Sequence, residues 1–294
     1  MVCVSVLSSW GVPMTYKTIL VHCNDLRRVA RVTGAAVKIA DRFGAHLIGL
    51  SVSPPVHLIP AGMPGTPDVI VADAQAKAYR QGNPQLRQAF FEAPNSASKA
   101  IAEWREQDAD RASLADVVLA WARAADLVVV AQKDATWSQS SHLDVDDALI
   151  LGSGRPVLVI PNDGLCSPAA CRVLVAWNQS REATRAVFDA LPLLQQADDV
   201  AIVTFAPDDT AHPSHAAEPH ICTALARHGV KCRAIESMTK HVDVGRCLTQ
   251  QAISQKADLL VMGCYGHSRL RELVLGGASR HQLRHMLIPV LMSH

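Results

Sequence analysis

The sequence predicts an α/β protein made of two tandem doubly wound domains, each with a five-stranded parallel sheet. Three observations support this fold class. The apolar runs are five or six residues long and rich in β-branched residues, as in strands buried on both faces of a sheet. Amphipathic helical segments separate them. The same succession of strands and helices occurs twice along the chain.

The first copy begins with a short buried strand and a helix of about 19 residues, as an alternating α/β unit requires. Its predicted elements are YKTILVHC (16–23), a helix over 25–43, AHLIGLSV (45–52), AADLVVVA (124–131) and RPVLVIP (155–161).

The second copy repeats this pattern, and its last two strands follow those of the first at offsets of 132 and 133 residues. Its predicted elements are RVLVAWN (172–178), a helix to about 195, DVAIVTFAP (199–207), KADLLVMG (256–263) and IPVLMSH (288–294).

The repeat sets the predicted domain boundaries. We expect a disordered extension over 1–13, with Met14 as an alternative natural start, a first domain over 14–162 and a second over 171–294. The linker between them, 163–170, belongs to a stretch of Asn, Asp, Gly, Ser and Pro residues. The first copy is about 22 residues longer, which a proline-rich excursion (53–68) and a longer helix (75–93) explain.

Composition excludes several classes of protein. The chain of 294 residues has 28 Lys and Arg against 27 Asp and Glu, so it has no overall field that would favour nucleic acid or an anionic membrane. No apolar run approaches the roughly 18 to 20 residues of a membrane span. The 8 cysteines form no CxxC pair, which favours reduced thiols in the cytoplasm.

Glycines cluster directly after the apolar run ADLLV of the second copy. Gly263 and Gly266 follow that strand, and Gly276 and Gly277 precede a final helical segment. Ligands of open parallel sheets bind beyond the carboxyl ends of the strands, and glycine lets an anion approach backbone amides closely. The start of the helix favours phosphate, and Ser279 can cap it or bind a phosphate oxygen.

This spacing resembles the nucleotide-binding signature of the universal stress protein (UspA) family, in which GxxG precedes nine residues, a glycine and a small residue. Here the signature is Gly263, Gly266, residues 267–275 and Gly276. Because the repeated order of strands and helices in both copies agrees with the family's fold, the chain is similar to a tandem universal stress protein with two Usp domains of the adenine nucleotide alpha hydrolase-like, Rossmann-like fold. The resemblance implies a cytoplasmic stress-response regulatory or signalling protein that binds ATP, with or without Mg, and an unidentified protein partner.

The resemblance also implies roles for individual residues of the second copy. The phosphates would lie on the glycines and near Ser279, and the ribose near Asn178, where ATP-binding members have an acidic residue. Adenine would lie at about Thr204, flanked by Ala176 and Met262. Two residues depart from the family pattern and bear on the affinity for nucleotide: Asn178 replaces the acidic residue, and Gly277 replaces Ser or Thr. Asn178 is equally explained as a turn residue at a strand end.

The first copy departs from the signature, since Asp134 replaces the second glycine and LDVD (143–146) replaces GGAS. Two unit charges 4 Å apart repel by about 4 kcal/mol at an effective dielectric near 20. We therefore predict no triphosphate in the first copy. Gly152 and Gly154 come too late to substitute, and end a helix instead.

For several other side chains, a structural explanation competes with a functional one. Arg269, Arg271 and Arg280 suit a solvated helix face as well as phosphate contacts. His281 and His285 share a helical face without a third metal ligand, and the His212–His220 loop is another weak metal candidate. Cys264 is either an oxidation-sensitive thiol or an incidental small residue. We predict no structural metal.

Catalysis is not predicted. Glu272 is the only carboxylate between the glycines, and no GxxxxGK[ST] lysine is present. A nucleotide-free interaction module and a slow ATPase stay open as alternatives. The last strand, IPVLMSH, is either an exposed edge available to a homodimer or pairs within the chain as a pseudo-dimer.

Overall fold

The structure is a computed structural model. It describes residues 15–54, 68–93, 98–110, 112–134, 136–137, 143–166, 170–207, 220–239, 244–264 and 277–294. The predicted extension (1–13) lies outside these residues, as do most of the proline-rich excursion and the motif glycines Gly266 and Gly276.

The elements alternate as the sequence predicts. The ten strands are β1 (Thr18–His22), β2 (His46–Ser53), β3 (Ile101–Asp108), β4 (Leu127–Ala131), β5 (Val157–Ile160), β6 (Arg172–Ala176), β7 (Asp199–Pro207), β8 (Cys232–Thr239), β9 (Leu259–Gly263) and β10 (Val290–Ser293). The helices of the described residues are α1 (Leu26–Phe43), α2 (Asp68–Glu92), α3 (Leu114–Ala122), α4 (Asp146–Gly152), α5 (Arg181–Asp189), α6 (Leu191–Leu194), α7 (His220–Arg227), α8 (Val244–Ser254) and α9 (Ala278–His285).

The strands form one ten-stranded sheet in the order β3-β2-β1-β4-β5-β10-β9-β6-β7-β8. We call residues up to 162 the first half and residues 171–294 the second half. Each half supplies five parallel strands in equivalent order. The α/β fold class is confirmed. The two sheets, however, are joined: β10 pairs with β5 antiparallel, with Leu291 opposite Leu158. Within the chain β10 is therefore an inner strand, and the exposed-edge interpretation is wrong.

Apolar side chains on both faces of this sheet form two core layers. Ile19 and Val21 of β1 belong to one apolar cluster, whereas Leu20 between them belongs to the other. Such alternation follows from the two-residue period of a strand. Since helices cover both faces, no polar residue interrupts β4 or β5. No helix of the described residues is long and apolar enough to cross a membrane.

Local signals define the ends of α1. The Asp25 side chain accepts a hydrogen bond from the Arg27 amide at the start of the helix, and Gly44 ends it in the left-handed conformation, at φ 62°. Aspartate is a preferred N-cap, and glycine adopts positive φ without strain. The helix therefore begins and ends within a residue of its predicted bounds.

The longer helix of the first half, α2, packs against β2 at a glycine. Phe90 of α2 is fully buried over β2, where a Cβ on Gly49 would lie 2.7 Å from its ring. The helix begins at Asp68, earlier than predicted, and contains Pro84.

An aspartate repeated in both halves joins the starts of neighbouring strands. Asp126, just before β4, accepts hydrogen bonds from the amides of Lys17 and Thr18 at 2.8 and 2.9 Å. Asp258, just before β9, accepts two from the amides of Cys171 and Arg172, both at 3.0 Å. The aspartate of the repeated ADL sequence thus aligns β1 with β4 and β6 with β9.

Replacing this aspartate is expected to destabilise the protein to a similar extent in either half. Asp126→Ala or Asp258→Ala removes two hydrogen bonds to a charged acceptor, and we expect each to lower the free energy of unfolding by about 1–2 kcal/mol. Urea denaturation measures the loss. The exposed Asp163→Ala, which removes the same charge, is the control, with an expected change below about 0.5 kcal/mol. Equal losses in all three variants would contradict this role.

Candidate functional site

The carboxyl ends of β6, β7 and β9 bring several of the predicted nucleotide-binding residues together. Ala176 ends β6 and lies opposite both Val203 of β7 and Met262 of β9. Thr204 follows Val203, and Gly263 ends β9. Since the three strands are parallel neighbours, these positions share one edge of the sheet.

The side chains at this edge differ in what they offer a ligand. Met262 is buried in the core, so only its backbone is at the edge, whereas Ala176 and Thr204 are half-buried. Asn178 is exposed, and its Oδ1 accepts a hydrogen bond from the Ser180 amide at 3.1 Å. Gln179 between them has φ 62°. Asn178 therefore forms an Asx turn, as its turn interpretation predicts.

Gly263 allows a helix to approach the sheet closely. A Cβ at this position would lie within 3 Å of backbone atoms of Glu182 and Ala183, at 2.9 Å from the Ala183 Cα. The close approach of α5 therefore accounts for the glycine without any ligand. A side chain at 263 would displace α5 as well as any anion.

The start of α5 contributes residues that sequence reasoning missed. The Ser180 side chain accepts a hydrogen bond from the Ala183 amide, so Ser180 is the N-cap. The buried Glu182 forms an ion pair with Arg181 at 3.2 Å. Burial alone would raise the pKa of Glu182, but its own amide, Arg181 and Ser180 outweigh it, and the pKa is lowered. The signal available in the sequence was Ser180, a preferred N-cap residue that directly follows Asn178 and Gln179.

The start of α9 has no side-chain cap. Gly277 is the N-cap, with φ −49° and ψ 149°, and its carbonyl accepts a hydrogen bond from the His281 amide. Ser279 lies inside the first turn and is buried, so the expectation that it caps the helix is wrong. The first-turn amides of α9 are the groups that would face an anion.

Two buried glutamines hold α9 in place. Gln282 donates hydrogen bonds to the Gly245 carbonyl at 2.7 Å and to the Thr249 hydroxyl at 3.1 Å, which ties α9 to α8. Gln132, at the end of β4, donates to the Leu283 carbonyl at 2.9 Å. The position of the helix start is therefore set from both halves of the chain.

Metal-binding and thiol candidates receive little support here. In the part of the chain that the structure describes, no group of three or more His, Cys, Asp or Glu residues could hold a metal ion. The His281 and His285 rings lie 4.9 Å apart on α9. Cys264 is fully buried, and its carbonyl contacts the His294 ring at 2.9 Å.

The equivalent edge of the first half can be matched through β4 and β9. Each residue of β4 precedes its counterpart in β9 by 132 positions, and each residue of β5 precedes its counterpart in β10 by 133. The first offset matches Asp134, which closely follows β4, to Gly266 of the sequence. Between α4 and α9 the offset changes from 132 at the helix starts to 133 at the helix ends, and Asp144 falls at the glycine pair Gly276–Gly277 with either value.

A buried arginine and carboxylates fill this edge of the first half. The Arg28 guanidinium donates hydrogen bonds to Asp25 at 3.0 Å, to the Gln132 carbonyl at 2.7 Å and to Asp144 at 2.7 Å. All three charged side chains are less than a tenth exposed. Asp144 thus places a carboxylate, bound by a cation, where the second half has its Gly276–Gly277 pair.

A second contact bridges the same edge. Asn24, which like Asn178 lies two residues after its strand, donates from Nδ2 to the Leu143 carbonyl and to Asp144, both at 2.8 Å. In the first half this strand end is therefore bonded directly to the loop before α4. In the second half the corresponding Asn178 oxygen is bonded within its own turn.

Asp134 belongs to the outer part of this cluster. Its pKa is lowered, chiefly by the Thr136 hydroxyl and also by Arg27 and Arg28. Arg27 lies 3.6 Å from the Asp134 carboxylate. The guanidinium carbons of Arg28 and Arg27 lie 4.7 and 5.4 Å from the centre of the Trp137 ring. Asp134 and Asp144 are hence paired with arginines rather than directed at a ligand, which revises the repulsion expected from the sequence.

Burial shifts two titratable groups next to the cluster. Burial, with the carboxylates of Asp147 and Asp144, raises the pKa of Asp146 to about 7. Burial lowers the pKa of His22 to about 4, against the opposing effect of Asp144. His22 is therefore neutral at pH 7, and Asp146 titrates near it.

Comparison with known proteins assigns the second half to a family. Residues 171–294 match the model of the Universal stress protein family, so this half is a Usp domain. No curated protein matches the sequence.

Solved structures resemble the whole chain. A universal stress protein from Archaeoglobus fulgidus DSM 4304 aligns at a TM-score of 0.64 and 15% identity, over 94% of this chain and 95% of that chain. A functionally unknown protein from Pseudomonas aeruginosa PAO1 aligns at 0.52 and 16%, over 95% and 92%. These likenesses show the fold over both halves. A universal stress protein in complex with cAMP aligns at a TM-score of only 0.32, from which nothing follows about this chain.

Removing the central cation of the first-half cluster is expected to be strongly destabilising. Arg28→Met leaves the Asp25 and Asp144 carboxylates buried without their shared partner, and we expect a loss of about 3–5 kcal/mol in the free energy of unfolding. Chemical denaturation measures it. Arg27→Met, whose side chain is 57% exposed, is the matched control, with an expected loss below about 1 kcal/mol. Similar losses in both variants would show that burial of the pair does not matter.

Neutralising Asp146 is expected to stabilise the protein in a pH-dependent manner. A folded pKa near 7 against an ordinary value of 3.8 means that Asp146 destabilises the fold progressively from about pH 4 to 7. We expect Asp146→Asn to match wild type at pH 4 and to exceed its free energy of unfolding on the order of 3 kcal/mol at pH 8.

Denaturation curves at pH 4, 6 and 8 measure this difference. Asp163→Asn, at an exposed site, should show no such trend. A constant difference between the Asp146 variant and wild type at all three pH values would rule out the raised pKa.

Proposed function

We propose that the chain is a tandem universal stress protein that binds one ATP, or a related adenine nucleotide, in its second half. The Usp match of residues 171–294 and the repeated fold of both halves support this proposal. In this proposal the protein acts in the cytoplasm as a stress-response regulator, and its nucleotide state is communicated to a protein partner.

The contrast between the two halves at matched positions supports the proposal most directly. The first half has Asp144, bound by Arg28, where the second half has the glycine pair Gly276–Gly277. In the second half Gly277 leaves the first turn of α9 without a side-chain cap. Phosphate oxygens suit such amides, because the helix dipole and the N–H groups of a first helical turn both favour an anion.

The strand ends suit the rest of the nucleotide. Ala176 is half-buried and apolar, and the neighbouring Met262 presents backbone, so an adenine ring would meet little charge between β6 and β9. Thr204 adds a hydroxyl on β7. Asn178 is exposed after β6, and its amide can donate a hydrogen bond to a ribose hydroxyl.

We propose binding without appreciable turnover. Phosphoryl transfer to water requires a positioned water and charge stabilisation at the phosphates, usually with Mg²⁺. Glu182, the acid buried beside Gly263, is occupied by an ion pair with Arg181 and its own amide, so it is a poor general base. Mg²⁺ would arrive with the nucleotide.

One observation favours a second candidate function, a nucleotide-free interaction module. The packing of α5 against Gly263 explains that glycine without a phosphate. Such a module would bind its protein partner equally well with and without nucleotide.

Nucleotide binding is tested by thermal unfolding of the full chain. ATP at 100 times its dissociation constant adds about 2.7 kcal/mol of stability, and we expect millimolar ATP to raise Tm by several degrees. Gly276→Asp, which supplies the carboxylate found at Asp144 in the first half, should abolish the shift. Gly82→Asp is the control, because nothing lies within 4 Å of a Cβ there.

Two results would contradict the proposal. One is an unchanged Tm of the wild-type protein at millimolar ATP, and the other is a full shift in the Gly276→Asp variant. Calorimetric titration separates the halves, since one ATP per chain is expected and two would contradict the assignment of the first half.

A further inference from the structure

Two half-buried thiols meet at the outer edge of the second half. Cys222 is the third residue of α7, and Cys232 is the first residue of the edge strand β8. The Cys232 thiol donates a hydrogen bond to the Cys222 carbonyl oxygen at 3.9 Å, which places the two cysteines in contact. Because β8 is parallel to β7, Cys232 lies at the amino ends of the strands, opposite the candidate nucleotide edge.

The geometry of one helix–turn–strand unit produces this contact. The turn after α7 is closed by the amides of His228 and Val230, which both bond to the Leu225 carbonyl, and Gly229 has φ 80°. Cys222 lies five residues before the end of α7 at Arg227, which is roughly 7.5 Å along the helix. Cys232 lies three residues after Gly229, which is at most roughly 10 Å along an extended chain. The chain therefore turns back along α7, and the Cys232 thiol reaches the Cys222 carbonyl.

We propose that Cys222 and Cys232 are a redox modification site, at which a peroxide closes a disulfide between α7 and β8. The Cys222 thiolate attacks one peroxide oxygen, the O–O bond breaks, and Cys222 becomes a sulfenic acid as the first water leaves. The Cys232 sulfur then attacks the sulfenic sulfur, the S–S bond forms, and hydroxide leaves as a second water with the Cys232 proton. Two thiols lose two electrons, which reduce one peroxide to two waters.

The environments of the two thiols support this order of attack. Burial, together with the hydrogen bond that the protonated Cys232 donates to Cys222, raises the pKa of Cys232 to about 12, so Cys232 is the resolving thiol rather than the one attacked first by peroxide. Cys222 is half-buried, in the first turn of α7, and reaches solvent. Cys23 and Cys264, by contrast, are almost completely buried.

Peptide mapping of the oxidised full chain tests the pair. The reduced protein is treated with hydrogen peroxide, alkylated with iodoacetamide and digested with trypsin, which cuts after Arg227 and Lys231, between the two cysteines. We expect a cross-linked species that joins peptide 186–227 to peptide 232–233, lighter by two hydrogen atoms than the sum of the free thiol peptides. Dithiothreitol should remove it, and Tm should be several degrees higher before this reduction.

Cysteine variants separate this pair from general thiol oxidation. Cys232→Ser should abolish the cross-link and leave a sulfenic acid at Cys222 that dimedone traps, whereas the control Cys247→Ser should keep the cross-link. The proposal is overturned when both cysteines of the folded, peroxide-treated protein remain fully alkylated, or when the cross-link forms only in urea. A disulfide from either cysteine to a different one would equally overturn it.

Discussion

The antiparallel pairing of β5 with β10 is the interaction on which the arrangement of this protein depends. A five-stranded sheet that ended at β5 or β10 would expose a mainly apolar edge strand, which favours uncontrolled association. Because β5 and β10 pair within one chain, the backbone N–H and C=O groups of both edges find hydrogen-bonding partners. Because the pairing is antiparallel, the strands of the two halves run in opposite directions, and their carboxyl ends lie at opposite edges of the sheet. The two clefts of the repeated fold are therefore separate sites with separate chemistry.

The same pairing connects the clefts through one residue. The end of β5 lies beside the start of β10, so the last turn of α9 arrives next to the end of β4. Gln132 uses all its polar groups there: it bonds to the Ile160 carbonyl, the Asn162 amide, the Leu283 carbonyl and the Arg28 guanidinium. The cluster of the first half and the helix of the candidate nucleotide site thus share a buried neighbour.

The two halves meet the same electrostatic requirement in different ways. Backbone amides and a helix start at the carboxyl edge attract negative charge. In the first half a side chain of the protein itself, Asp144, supplies that charge. The cost of burying it is offset because Arg28 and Asn24 donate to its Oδ1 and the Asp134 amide donates to its Oδ2. The second half has glycine at the matched position, and in the proposed function the nucleotide supplies the negative charge there. Equivalent folds can therefore differ in function through a few charges at one edge.

The sequence alone determined the repeat, the order of the elements, the core strands and the bounds of α1, because each depends on residues a few positions apart. It also identified Ala176, Thr204, Met262 and Gly263 as one strand edge. Only the tertiary structure decided that α5 packs on Gly263, that Gly277 rather than Ser279 begins α9, and that the halves share one sheet. Arg28 was missed because two of its partners lie 104 and 116 residues away. Local periodicity encodes which residues are buried, but the pairing of charges and the close approach of backbones depend on contacts between segments that are distant in the chain.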